Sequence, residues 1–154
     1  MILKMDGWLN HFAKLTGADP DHPGAGAAGG LGFAFLAFTD AILRSGIQIV
    51  MEELEFETEI QKADMIVTGE GRLDSQTVMG KAPIGVAGLA KKYNKKVIAF
   101  SGCVTPDAEV CNDHGIDAYF PILRTVTTLS DAMNEEHAFN NLEATAYQVF
   151  RLIK

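Results

Sequence analysis

Cysteine is scarce in this sequence, basic charge is outnumbered, and no long apolar run occurs. Of 154 residues only two are cysteine, Cys103 and Cys111. Neither belongs to a CxxC or Cys/His ligand pattern, and the four histidines, His11, His22, His114 and His137, are scattered. A disulfide framework and a structural zinc site are thereby excluded, and a reducing, cytoplasmic location is expected. Lys and Arg number 13 against 20 Asp and Glu, a net charge of −7. That excludes general binding to nucleic acid or to anionic membrane, since neither gains electrostatic energy from an acidic protein. No apolar stretch approaches the roughly 20 residues of a membrane span. The opening MILKMDGWLNHF has no apolar core of signal-peptide length.

What is present is the composition of a folded protein, 47% hydrophobic and 21% charged. A chain of this length sustains one domain with its own core and is short for two. The expectation is a single domain over residues 1–154, with a leading helix and loop over 1–22 and an α/β core over 23–154.

MDGWLNHFAKLTG places Met5, Trp8, Leu9, Phe12 and Leu15 at helical spacing, with Gly17 to close the helix. ADPDHPGAGAAGG then reads as a loop, because its prolines and glycines forbid regular structure. Leu31 to Leu43 is apolar almost all round and predicts a buried helix, with Phe33, Phe35 and Phe38 in the core. GIQIVMEELEFETEIQKAD favours helix. DMIVTGEG, KKVIAFSG and DAYFPIL are short apolar runs without alternation, as in buried parallel strands. Between and after them stand helical patterns in SQTVMGKAPIGVAGLAKKYN, TPDAEVCNDHGI, TVTTLSDAMNEEH and AFNNLEATAYQVFRLI. Strand and helix in alternation predict right-handed crossovers and a parallel sheet covered by helices. Ligands in such sheets sit beyond the carboxyl ends of the strands.

Two stretches carry chemistry. In PGAGAAGGLG, Gly24, Gly26 and Gly29 satisfy GxGxxG, but no strand precedes them, so the dinucleotide reading fails. What remains is a glycine loop feeding a helix, whose N–H groups suit an anion; the alternative is that the glycines only permit tight packing. In GEGRLDSQTVMGKAP, Gly69 and Gly71 allow a sharp turn or close approach to a ligand. Glu70 and Asp74 can hold Mg²⁺, directly or through water, or one of them can act as a base. Arg72 offers a planar fork for carboxylate or phosphate, Lys81 a point charge for the same groups, and Gln76 and Thr77 neutral donors. The competing reading is a self-neutralising surface cluster, with Arg72 paired to Glu70 or Asp74 and Lys81 solvated. Position at a strand's carboxyl end favours a site for phosphoryl transfer, in which the protein mainly positions charge.

HPGAGAAGGLGFAFLAF, ADMIVTGEGRLDSQTVMGKAPIGVAGLAKKY and KVIAFSG, in this order, resemble the C-terminal portion of bacterial glycerate kinases of the type I family. The resemblance runs from about Met5 to Lys154 and is strongest between His22 and Gly102. It implies ATP-dependent, Mg²⁺-assisted phosphorylation of a hydroxyl of D-glycerate, giving 2- or 3-phosphoglycerate. It also implies a three-layer, mainly parallel, Rossmann- or flavodoxin-like fold, a second domain inserted into it, and a cleft between the two. Carried onto this chain, Asp74, Arg72, Lys81 and Glu70 take catalytic places, with Asp74 and Glu70 toward Mg²⁺. Gly24, Gly26, Gly29, Gly30, Gln76 and Thr77 bind substrate or phosphate.

Kinases of this kind are more than twice as long, and their N-terminal half has no counterpart here. The resemblance therefore implies weak or no turnover by this chain alone, and a separate chain supplying the missing half, or a homodimer. The alternative is a non-catalytic α/β module that binds a small anion or nucleotide, or dimerises.

Overall fold

The computed structural model describes residues 2–153, with side chains from residue 7 onward; the side chain of Met5, counted above on the first helix, lies outside them. Two compact units divide the chain, Met1–Ile49 and Val50–Lys154.

The first unit holds helices α1 (Ile2–Thr16) and α2 (Ala27–Phe38). Helix α1 ends where Gly17 turns to φ +76 and its N–H bonds the Ala13 carbonyl. Along α1, Trp8 and Phe12 stack one turn apart, as the spacing predicts. In α2, Ala28, Gly29 and Gly30 all have positive φ, so the regular helix begins at Leu31. It stops at Phe38 rather than at Leu43. The Thr39 hydroxyl donates to the Phe35 carbonyl and accepts the Ala41 N–H, offering the backbone an alternative to the next helical turn. The expected burial holds for Phe33 only; Phe35 and Phe38 are 47% and 67% exposed.

Helix α3 (Gly46–Glu53) crosses into the second unit and is followed by α4 (Phe56–Lys62). The single helix expected here breaks at Glu55, whose φ is +50. The second unit is an α/β layer structure. Strands β1 (Met65–Leu73), β2 (Lys96–Val104) and β3 (Ala118–Pro121) form a parallel sheet in the order β1-β2-β3. Helix α5 (Ala82–Lys92) makes the first crossover. A 3₁₀ turn (Pro106–Glu109) and the short α6 (Val110–Asp113) make the second. Helices α7 (Leu129–Ala132) and α8 (Glu135–Ile153) complete the unit.

Strand β2 explains the sheet. Its run VIAFS is buried on both faces, so its residues show no polar alternation. Val97 and Ala99 join Ile60, Ala87, Ala90, Cys111 and Ile116 on one side. Ile98 and Phe100 join Val149, Ala146 and Phe120 on the other. Strand β1 lies at the edge of this sheet, so the burial expected of it is incomplete and Val67 stays half exposed. Gly69 and Gly102 serve the pairing of β1 with β2: a Cβ on Gly69 would collide with the Phe100 carbonyl, and one on Gly102 with that of Gly71. Of the two readings of Gly69 and Gly71, the sharp turn is absent, because the strand continues to Leu73.

Lys91, in the last turn of α5, donates to the Asp117 carboxylate at 2.6 Å. Burial opposes the charge on Asp117, but Lys91 and the Val97 N–H outweigh it and hold its carboxyl below the ordinary value. Among the described residues no helix is long and apolar enough to cross a membrane.

Candidate functional site

Glu70 and Arg72 stand in the carboxyl-terminal half of β1, opposite Ser101 and Cys103 of β2, and so at the carboxyl edge of the sheet. Leu73, fully buried, anchors the strand end. The chain then leaves the sheet through Asp74 in consecutive turns rather than in the helix expected from Ser75 onward. The Thr77 N–H bonds the Asp74 carbonyl, Met79 bonds Gln76, and Lys81 bonds Thr77. Gly80, at φ +91, allows the last of these turns. Pro83 in the first turn then starts α5, which opens at Ala82.

This path brings the six polar residues of the stretch together. The buried Thr77 hydroxyl donates to Glu70 Oε1 at 2.5 Å and accepts the Asp74 N–H at 3.2 Å. Asp74 Oδ1 accepts the Gln76 N–H at 3.0 Å, an Asx turn. Arg72 Nε lies 3.2 Å from Asp74 Oδ2. Lys81 Nζ reaches back to Asp74 Oδ1 at 3.5 Å and Glu70 Oε2 at 3.9 Å. Two carboxylates, both mostly buried, thus share one ammonium whose side chain is 40% exposed, while Arg72 covers one of them from outside at 63% exposure. The cluster is internally neutral, as the competing reading required, but Lys81 is a bridge and not a solvated side chain. A groove of about 340 Å³ runs beside Glu70, lined by Val67, Gly69, Phe100, Gly102, Ile122 and Leu142. No group of three or more His, Cys, Asp or Glu able to hold a metal ion occurs among the described residues. An ion here would have Glu70 and Asp74 only.

Sequence reasoning passed over Asp107. Its Oδ2 accepts the Ser75 N–H at 3.2 Å from 32 residues away. The Thr105 hydroxyl, instead of capping the 3₁₀ turn, donates to the Leu73 carbonyl at 3.2 Å. Both bonds tie the end of β1 to the crossover after β2. The Ser75 hydroxyl, with the Ser75 N–H, holds the Asp107 carboxyl well below its ordinary value of 3.8. A carboxyl depressed in the folded state stabilises the fold above its unfolded value, and that contribution is lost as pH falls below it. Lowering the pH from about 5 toward 2 is therefore expected to lower the melting temperature, with Asp107→Asn removing part of the dependence. A variant that loses stability with acid as steeply as the parent would show that Asp107 contributes none of it. Cys111, fully buried beneath this corner, has its thiol pushed up by burial and by the charges of Glu70 and Asp74. Cys103 is half buried.

The glycine loop belongs to the first unit and closes largely on itself. The N–H groups of Ala25, Ala27, Gly30 and Phe33 donate to His22, Gly24, Gly26 and Ala25 carbonyls. A Cβ at Gly32 would collide with the Gly24 carbonyl, so tight packing is one task of these glycines. His22 is exposed, its Nδ1 2.9 Å from the Pro23 carbonyl oxygen.

The profile of the glycerate kinase family matches residues 1–154. A glycerate kinase of Haemophilus influenzae is 44% identical over 158 aligned residues, 99% of this chain and 41% of that protein. A glycerate 2-kinase of Escherichia coli is 47% identical over 92% of this chain and 38% of its own length. A crystal structure from Salmonella typhimurium LT2, provisionally described as glycerate kinase 2, superposes with a TM-score of 0.58 at 40% identity, covering 96% of this chain and 38% of that one. The chain spans about 40% of the length of the curated relatives it matches.

Proposed function

This chain belongs to the glycerate kinase family, and from that premise we propose that it forms one wall of a cleft in which a kinase of family length moves phosphate from ATP to a hydroxyl of D-glycerate. The observation that carries the reading is the sharing of Lys81 by Glu70 and Asp74 at the carboxyl end of a parallel strand, where α/β sheets hold their ligands. Phosphoryl transfer needs charges held in place more than it needs covalent chemistry. Lys81 has long contacts and a half-exposed side chain, so it can turn outward to a phosphoryl or carboxylate oxygen. Arg72 presents the unpaired part of its guanidinium on the same side as solvent.

Asp74 or Glu70 accepts the proton of the attacking hydroxyl. Thr77 and the Gln76 N–H hold these carboxylates in position. The two carboxylates converge on one cation and offer hard oxygen donors, which fits Mg²⁺ in ligand type; the ion would neutralise charge on the phosphates. The N–H groups of the loop at Gly24, Gly26, Gly29 and Gly30 that are not spent on its own carbonyls are the proposed anion contacts.

Release of ADP on addition of D-glycerate tests the reading, measured on this chain alone and on the chain joined to the rest of a family enzyme. The joined enzyme is expected to release ADP only with ATP, Mg²⁺ and glycerate together. This chain alone is expected to release little, because it supplies one wall. A joined enzyme indifferent to glycerate would overturn the proposal.

A further inference from the structure

Beyond β3 the chain forms a second cleft, of about 440 Å³, between the segment after Pro121 and helices α7 and α8. It lies at the same carboxyl edge of the sheet as Glu70, but at the opposite side of the order β1-β2-β3. Arg124, Thr127, Asp131, His137, Asn140 and Asn141 line it. Among the described residues the Arg124 guanidinium has neither a hydrogen bond nor an ion pair. An exposed arginine aimed into a polar cleft without a partner leaves its whole planar fork for a ligand.

The remaining groups select among anions. His137, Asn140 and Asn141 stand at i, i+3 and i+4, hence on one face of α8, and they bring neutral donors and acceptors. Asp131 has one carboxylate oxygen, Oδ2, bonded by the Thr128 hydroxyl at 2.7 Å. A carboxylate in the wall repels a phosphate dianion but accepts hydrogen bonds from hydroxyls. One guanidinium, one carboxylate and two primary amides together complement a molecule with one carboxylate and adjacent hydroxyls.

We propose that this cleft binds a small hydroxy acid, with the ligand carboxylate on Arg124 and its hydroxyls on Asp131, Asn140 and Asn141. Arg124 is then the residue that selects a carboxylate-bearing substrate, and the charged block at β1 is left to the phosphoryl group. The choice of D-glycerate as the ligand to try rests on the kinase reading; the chemistry of the cleft does not.

The test is titration of the ¹⁵N-labelled 154-residue chain with D-glycerate, inorganic phosphate and ATP in separate arms, followed by amide shifts. D-glycerate is expected to move amides between residues 124 and 141. Arg124→Gln, at an exposed position, and Asn141→Ala, at a half-buried one, are each expected to weaken binding roughly 10-fold or more. Glycerate shifts confined to residues 70–81, no glycerate binding at all, or binding unchanged in Arg124→Gln would overturn the proposal. So would phosphate occupying the cleft in preference to glycerate. Glycerate binding at Arg124 in a family-length enzyme that transfers no phosphate would support the cleft and remove the kinase reading, so the two fail separately.

Discussion

In a glycerate kinase of family length, replacing Asp74 with Asn is expected to lower turnover by about 10²-fold or more, and Lys81→Ala by a similar factor. Asn keeps the shape of the side chain and an oxygen for the Gln76 N–H, so the turn after β1 persists. What it loses is the negative charge that faces both Arg72 and Lys81. Neither a proton nor a cation is then held at that corner. Lys81→Ala removes the shared ammonium and leaves the two mostly buried carboxylates facing each other. Its loss should appear in the KM for the anionic substrates as well as in kcat. Steady-state kinetics with D-glycerate and ATP, alongside melting curves to confirm folding, provide the check. Near-parental kinetics in both variants would mean that the cluster is only a neutral corner of the fold.

Truncating Leu73 to Ala is expected to destabilise the chain by about 3 kcal/mol, since a fully buried leucine loses its transfer energy and leaves a cavity. Leu73 has no exposed surface and shares its cluster with Ile66, Val97, Ala99, Ala108, Cys111 and Ile116. For a domain of this size the melting temperature should fall by roughly 6–12 °C. Because its carbonyl also receives the Thr105 hydroxyl and N–H, the loss should loosen the end of β1 itself. Hydrogen exchange at Glu70 to Lys81 should accelerate more than exchange in α8. A shift of under about 2 °C would show that the site end of β1 does not depend on this core.

These two experiments separate positions that the sequence treats alike, since Leu73 and Asp74 are neighbours in one motif. The apolar runs at β1, β2 and β3 were legible because a strand buried on two faces carries no polar alternation. Their lengths were less so. Strand β1 runs on through Gly69, Gly71 and Arg72, and the missing side chains of Gly69 and, on β2, of Gly102 let the two backbones approach. A rule that reads glycine as a turn points the other way.

The charged block was legible as chemistry, and its pairing was partly foreseen: Arg72 does meet Asp74. The competing reading left Lys81 solvated; six intervening residues of turn, and not of helix, bring it back over Asp74. The hydrophobic helix after the glycine loop was placed correctly at its start and run too far at its end. There the Thr39 hydroxyl captures the backbone, a local competition invisible to hydropathy. Asp107 and Arg124 lie outside any motif, and no pattern in the sequence marks them.

The sequence by itself determined the alternation of strand and helix, the parallel sheet, and the concentration of charged and polar side chains between Gly69 and Lys81. Those follow from the spacing of apolar side chains and from glycine and proline, which act on their immediate neighbours. Only the tertiary structure decided which charges meet. Lys81 bridges Glu70 and Asp74, Asp107 holds Ser75, and Arg124 is left free opposite the amides of α8. The bridge of Lys81 depends on the path of the turns between β1 and α5, and the places of Asp107 and Arg124 on packing between segments that are distant in the chain.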